Sequence, residues 1–177
     1  MKMNRARAVC IAVVMAFGAP VTAQENVTAI IAVQGERGPV TNLPMPRYVS
    51  LKANEANVRR GPSLSHRIDW IFARRDMPLR VVGEYGHWRR VVDREGMGGW
   101  VHYSMLSGNR TVIIDHDLLT LRGQPIPNAT EVAMLELGVI ADLGECIADW
   151  CRLRADGYRG WAPKSSLFGA APDELRG

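Results

Sequence analysis

Two closely spaced cysteines are the residues of this sequence best placed to form a covalent bond. Cys146 and Cys151 flank the short segment 147–150, and strand-forming residues lie on both sides of it. A tight turn at this segment places the two thiols across a hairpin, at the separation that a disulfide requires. The chain has no Cys-x-x-C pair, the common spacing of metal ligands and redox dithiols. The pattern therefore predicts a Cys146–Cys151 disulfide.

The other chemically active side chains show no catalytic pattern. The four histidines lack the H-x-x-x-H spacing of metal sites and have no neighbouring carboxylate cluster. No G-x-S-x-G sequence occurs, and the glycine-rich run 96–99 leads into a strand pattern, which is typical of a turn and not of a phosphate loop. We therefore expect no catalytic residue, no metal and no cofactor, and interpret the chain as non-enzymatic. The histidines are His66, His87, His102 and His116.

The sequence contains an internal repeat, which includes the two cysteines in its second copy. The run Trp88-Arg89-Arg90-Val91 matches Trp150-Cys151-Arg152-Leu153 at an offset of 62 positions, and Gly99-Trp100-Val101 matches Gly160-Trp161-Ala162 at an offset of 61. Two copies of one unit of about sixty residues therefore follow each other, a length that folds independently but with a small core.

Each unit is predicted to be all-β. Short runs rich in β-branched and aromatic residues are separated by glycine and aspartate turns, a spacing that favours a small antiparallel barrel over a βαβ unit. We place the first domain at residues 47–110 and the second at 111–170. The strand runs are 79–84, 88–92 and 99–101 in the first unit, and 139–145, 150–154 and 160–162 in the second.

The N-terminal residues predict that the protein is exported. Lys2, Arg5 and Arg7 precede an apolar run at 8–19, and Val21-Thr22-Ala23 gives a small-residue cleavage site. This order is typical of a secretory signal peptide over residues 1–23, and the run is too short to span a membrane. We expect a periplasmic protein with no transmembrane segment after cleavage, a compartment that favours disulfides. A Pro/Gly-rich linker at 24–46 and a loose tail at 171–177 complete the predicted organisation.

The order of motifs resembles that of the bacterial SH3-like (SH3b) domains of exported proteins. The resemblance implies two tandem SH3-like barrels, and it implies binding or targeting modules, often for cell-wall peptides. The second unit departs from the pattern at 121–125, where Leu-Arg-Gly-Gln-Pro replaces the Asn-Val-Arg-x-Gly-Pro opening. The matching segments are 43–52, 57–63, 88–91, 99–101 and 106–111.

The aromatic residues fall into two predicted groups. Trp88, Trp100, Trp150 and Trp161 alternate with polar neighbours on strands, so we expect them to fill the barrel cores, with a ligand platform as the alternative. Three others lie near turns or strand ends, where the loops of a barrel carry recognition. These three predicted rim residues of a ligand groove are Trp70, Tyr85 and Tyr103.

The repeat alignment also pairs the two hairpins. Glu84 and Arg89 occupy the positions that Cys146 and Cys151 hold in the second unit. We expect an exposed cross-strand ion pair in the first hairpin where the second has a disulfide. Closing so short a loop stabilises by about 2 kcal/mol on the chain-entropy model, against about 0.2–1 kcal/mol for an exposed ion pair.

Charge is divided unevenly between the units. Residues 47–110 contain 12 basic and 6 acidic residues, net +6, whereas residues 111–177 contain 6 basic and 10 acidic, net −4. The asymmetry fits docking of one unit on the other, a cationic face for anionic wall components or lipid headgroups, or an ordinary solvated surface. Nucleic acid is excluded as a partner because no strongly basic helix or ladder of stacking aromatics is present.

These observations predict a non-enzymatic exported binding module. Its expected ligand is a peptide, either a cell-wall stem peptide or a segment of a periplasmic protein. The alternative is a small envelope-associated hydrolase with a site between the two units, built from an acid and a histidine of different repeats.

Overall fold

The computed structural model describes residues 36–177. The predicted signal peptide and residues 24–35 of the predicted linker lie outside the described residues. Within residues 36–177 no helix is long and apolar enough to cross a membrane.

The described chain forms two antiparallel sheets of seven strands each. A short 3-10 turn precedes the last strand of each sheet, at Tyr103–Met105 and Lys164–Ser166. The first sheet contains β1 (Arg47–Leu51), β2 (Ala56–Arg59), β3 (Ile68–Phe72), β4 (Pro78–Tyr85), β5 (Trp88–Val92), β6 (Gly98–His102) and β7 (Leu106–Ser107). The second contains β8 (Thr111–Ile114), β9 (Leu119–Arg122), β10 (Glu131–Leu135), β11 (Ile140–Cys146), β12 (Trp150–Ala155), β13 (Tyr158–Pro163) and β14 (Leu167–Phe168).

The two sheets have the same topology. Their strand orders are β3-β2-β6-β5-β4-β1-β7 and β10-β9-β13-β12-β11-β8-β14, so each strand of the second has its counterpart seven strands earlier. This equivalence confirms the predicted tandem repeat and the all-β fold of two small SH3-like barrels.

Aliphatic side chains fill both barrels. In the first, Leu51, Leu79, Val91 and Val101 have no solvent exposure. The second core is built in the same way and includes the disulfide. Its most buried members are Val112, Ile114, Leu121, Cys151 and Ala162.

Trp88 is buried as predicted, but the other three strand tryptophans lie outside both core clusters, which corrects the expectation of core packing for them. Trp100, Trp150 and Trp161 are only partly buried. Because side chains alternate along a strand, the inward position of Val101 turns Trp100 to the outer face of β6. Trp88 is buried, but it lines a groove of the first repeat.

The two predicted hairpin cross-links occupy equivalent positions. Cys146 and Cys151 are directly paired, form the predicted disulfide and have Cα atoms 4.1 Å apart. Glu84 and Arg89 are directly paired in the first repeat, with Arg89 Nε 3.5 Å from a Glu84 carboxylate oxygen. The pair differs from the prediction in one respect: it is buried, and the Glu84 side chain has no solvent exposure.

The Glu84 carboxylate is compensated by donors from the N-terminal segment. Arg47 Nη2 lies 2.6 Å from it, and the Thr41 hydroxyl and N–H donate to it at 2.7 and 2.9 Å, with the Val40 N–H at 3.1 Å. A Cβ on Gly38 would clash with this carboxylate and displace it from its donors. Residues 36–46 of the predicted linker are therefore a folded clamp on the first barrel.

The C-terminal tail is attached at the equivalent position of the second barrel. Cys146 and Arg176 exchange two backbone hydrogen bonds of 2.7 and 3.0 Å. The Glu174 carboxylate accepts two bonds of 2.8 and 2.9 Å from Arg110, and the ammonium of buried Lys164 donates to the Glu174 carbonyl at 2.5 Å. The tail is therefore ordered, contrary to the expectation of a loose end, because it satisfies these polar groups.

The two barrels contact each other around the Arg110 junction. Tyr48 of β1 meets Phe168 of β14 edge to face, with centroids 5.5 Å apart, and the Arg110 guanidinium lies 5.7 Å from the Tyr48 ring. The Thr111 hydroxyl donates to the Asp76 carbonyl at 2.6 Å. These contacts bring the first repeat, the junction and the tail together.

Glu84→Gln tests the buried ion pair through its pH dependence. Burial raises the pKa of Glu84, but the hydrogen bonds from Thr41, Arg47 and Val40 outweigh it and lower the pKa from 4.5 to about 2. A depressed folded-state pKa stabilises above pH 4.5 and loses that contribution as the pH falls from 4.5 towards 2. We expect the variant to be about 3 kcal/mol less stable than the natural protein at pH 7.

Urea unfolding at pH 7 and near pH 2 measures this difference, which should almost disappear in acid. The matched control is Glu145→Gln, an exposed carboxylate of β11, which should change stability by less than about 0.5 kcal/mol. An equal deficit of Glu84→Gln at both pH values would contradict the assignment.

Replacing both Cys146 and Cys151 by serine should destabilise the protein by about 2 kcal/mol, because the unfolded chain regains the freedom of the closed loop. Urea unfolding of the double variant measures this loss. Thiol titration of the denatured, unreduced protein supplies the second readout: neither cysteine should react. Two reactive thiols at these positions would disprove the bridge.

Candidate functional site

A groove of about 810 Å³ lies on the first repeat. One wall is the loop between β2 and β3, and the other is formed where β5 begins and β6 ends. Its lining is largely carbon, with a few polar groups that suit the orientation of a ligand. The principal lining residues are Asn57, Arg59, Leu64, His87, Trp88 and His102.

The β2–β3 loop is held in place by Arg59. Its Nη1 atom donates to the carbonyls of Leu64 and His66 at 3.0 and 2.7 Å. The His66 ring packs on Gly61, and a Cβ at this position would displace the imidazole. The Asn-Val-Arg-x-Gly-Pro opening therefore shapes this wall and leaves Leu64 75% exposed at its lip.

The opposite wall carries an aromatic cluster. Trp88 and His102 are paired across β5 and β6, and their rings meet edge to face at 5.4 Å. The Tyr103 ring lies 4.9 Å from His102 and 5.6 Å from His87. His102 Nδ1 shares a 2.7 Å hydrogen bond with the Ser104 hydroxyl, which fixes its ring. The cluster therefore presents the rings of His87, Trp88 and His102 to the groove, in tilted and edge-to-face contact.

The buried ion pair positions this wall. Arg89 contacts Glu84 and donates from Nη1 to the carbonyls of Gly86 and Trp88, both at 2.9 Å. These two carbonyls flank His87 in the β4–β5 turn. The Glu84 network thus fixes the turn that places His87 and Trp88 against the groove.

The polar character of the groove is mixed. Glu55 and Arg59 line it with opposite charges, and Asn57 adds an amide that both donates and accepts. Residues 36–177 contain no group of three or more histidine, cysteine, aspartate or glutamate side chains that could hold a metal ion. The arrangement suits an uncharged or zwitterionic extended ligand that packs on carbon and aromatic faces.

The three predicted rim residues are not gathered at one groove. Tyr103 adjoins it through His87 and His102. Trp70 is half-buried in β3 and packs against the first core, and Tyr85 is 65% exposed at the end of the β4–β5 hairpin. Neither is among the residues that line the groove. Ligand contact by Trp70 and Tyr85 stays a prediction.

His87 and His102 line the groove, although the sequence patterns gave them no binding role. The repeat alignment contained a signal for them, because it places Asp149 and Pro163 at their positions in the second unit. The structure bears out this equivalence: Trp150 is paired with Pro163 as Trp88 is with His102. Lys164 N–H donates to the Asp149 carbonyl at 2.9 Å, as Tyr103 N–H does to His87. The cluster of histidine, tryptophan and tyrosine rings therefore belongs to the first repeat and has no equivalent in the second.

A family model for the bacterial SH3 domain matches residues 52–108 and 116–169, one match on each barrel. The chain belongs to the bacterial SH3 domain family. The groove lies in the first of its two bacterial SH3 repeats, between the loop and the hairpin described above.

Two solved structures are similar to this chain at low sequence identity. No curated protein matches the sequence. NlpC2 from Trichomonas vaginalis is similar over 70% of this chain and 48% of its own, with 14% identity and a TM-score of 0.33. NlpC1 from the same organism is similar over 74% of this chain and 48% of its own, with the same identity and TM-score. The bacterial SH3 chain thus spans about half the length of each.

Proposed function

We propose that this protein is a non-enzymatic exported binding module, and that the groove of its first bacterial SH3 repeat binds a peptide. The ligand is a cell-wall stem peptide or an extended segment of a periplasmic protein. The observation that carries the proposal is the groove itself, with one wall formed by a fixed loop and the other by a cluster of aromatic rings.

The shape and lining of the groove support an extended peptide ligand. A volume of about 810 Å³ accommodates several residues, and largely apolar walls with a few polar groups are typical of ligand sites. Asn57 and the opposite charges of Glu55 and Arg59 supply partners for a peptide backbone and its polar groups. The walls are held by hydrogen bonds, so little order has to be gained on binding.

The difference between the repeats supports one peptide site per chain. At the positions of His87, His102 and Tyr103, the second repeat has Asp149, Pro163 and Lys164. None of these residues has an aromatic ring, and the Lys164 ammonium donates a hydrogen bond to the Glu174 carbonyl of the tail. The second repeat then has a structural role, since it packs against the first repeat through Tyr48, Phe168 and Arg110.

The absence of catalysis is part of this proposal. Cys146 and Cys151 are joined in a disulfide, so neither supplies the thiolate that a cysteine hydrolase requires. The competing interpretation, an envelope-associated hydrolase, predicts release of soluble fragments from wall material, whereas a binding module predicts none.

Sedimentation of the purified protein with isolated peptidoglycan sacculi tests the proposal. Leu64→Ser removes an exposed apolar contact at the lip, and His87→Ala removes one ring of the aromatic cluster. Each should weaken sedimentation about tenfold, the loss expected when a central contact residue of a binding site is truncated. Binding should persist at high salt, because the groove is mainly apolar and aromatic.

Matched controls lie in the second repeat. Ile126→Ser changes an exposed aliphatic residue of the corresponding loop, and Asp149→Ala changes the position equivalent to His87. Both should sediment as the natural protein does. Soluble fragments in the supernatant would overturn the non-enzymatic interpretation. Sedimentation lost equally in all four variants would contradict a groove in the first repeat. If the natural protein does not sediment, the ligand is not the wall peptide.

A further inference from the structure

A row of side chains crosses the outer face of the first barrel. Trp100 of β6 is directly paired with Arg59 of β2 on one side and with Arg90 of β5 on the other. Directly paired residues project from the same face of a sheet, so the indole lies between two arginines. Arg59 is committed to the β2–β3 loop through its Nη1 atom, whereas Arg90 is exposed.

The second repeat contains the same row in a closed form. Trp161 is paired with Arg122 and Arg152 in the same register. Here the Arg152 guanidinium lies over the indole, 6.0 Å from the ring centroid, and covers it with a cation–π contact. Arg122 donates to the Ala129 carbonyl at 2.9 Å and lies 3.7 Å from a Glu131 oxygen. The groups of this row are therefore satisfied within the repeat.

The first-repeat row is open and cationic. A cleft of about 370 Å³ is lined by Arg59, Arg60, Arg90 and Trp100, with Asp69 as the one carboxylate in its lining. The Asp69 carboxylate is held by Arg67 at 2.8 Å and lies 3.5 Å from Arg60. Within residues 36–177, Arg90 has neither an ion pair nor a cation–π contact of the kind made by Arg152.

We propose that this cleft binds an anionic saccharide, with Arg90 and Arg60 pairing with its carboxylate or phosphate and the Trp100 ring packing against the face of the sugar. Guanidinium groups bind these anions through two parallel hydrogen bonds, and an indole offers a flat apolar face of matching size. The net charge of +6 on residues 47–110 concentrates anions at this repeat. The cleft is separate from the peptide groove, although Arg59 borders both.

Calorimetric titration with charged and uncharged oligosaccharides tests the cleft. The probes are an oligogalacturonate, a phosphorylated malto-oligosaccharide and an unmodified malto-oligosaccharide of equal length. At low salt the natural protein should bind at least one of the two anionic probes, and the uncharged one at least about tenfold more weakly. A preference for the carboxylated or the phosphorylated probe identifies which anion the ligand carries.

The repeat provides matched variants for this experiment. Arg90→Gln and Trp100→Leu should each weaken binding about tenfold, because each removes one half of the recognition. Arg152→Gln and Trp161→Leu alter the equivalent closed row and should leave affinity within about twofold. Urea unfolding of each variant verifies that it is folded. Absence of binding to both anionic probes would overturn the proposal. Equal binding of the uncharged probe, or equal losses in the two repeats, would do the same.

Discussion

The buried carboxylate of Glu84 is the interaction on which the first repeat depends. It has no solvent exposure and accepts hydrogen bonds from Thr41, Val40 and Arg47, so it fastens the N-terminal clamp to the barrel. It also lies against Arg89, whose guanidinium fixes the carbonyls on either side of His87. A buried charge without partners would cost several kcal/mol, so loss of any of these contacts destabilises the others. The wall of the groove is thereby tied to the stability of the domain.

The equivalent hairpin of the second repeat is linked by a disulfide and not by an ion pair. Its disulfide closes the equivalent hairpin, and the tail, not an N-terminal segment, is attached beside it through Cys146 and Arg176. The covalent link needs no buried charge, and the turn it closes presents Asp149 where the first repeat presents His87. Two copies of one fold have thus diverged into a repeat with an aromatic groove and an open arginine cleft, and a repeat whose corresponding groups are satisfied internally.

Local patterns were sufficient to predict the repeats, the strands and the hairpin pairing, because alternation and turn residues specify them over a few positions. The prediction of core packing failed for Trp100, Trp150 and Trp161, because the large size of a tryptophan favours a core. In the first barrel, Val91 and Val101 fill the core and leave Trp100 outside it. Local patterns could not predict the hydrogen-bond partners of Glu84, because Thr41 of the clamp and Arg47 of β1 reach its carboxylate only in the complete fold. The groove likewise depends on a loop and a hairpin that are distant in sequence. The substitution of His87 by Asp149 between repeats was the one available signal.

In the proposed function the first repeat binds the peptide and the second does not. Two-dimensional ¹H–¹⁵N NMR of the full protein, titrated with soluble stem peptides released from peptidoglycan, locates the bound peptide. Saturable shifts are expected at the β2–β3 loop and at His87, Trp88 and His102, whereas the amides of Asp149, Trp150 and Lys164 should not move. Shifts centred on the second repeat, or no saturable shift in the groove, would contradict binding at the first repeat.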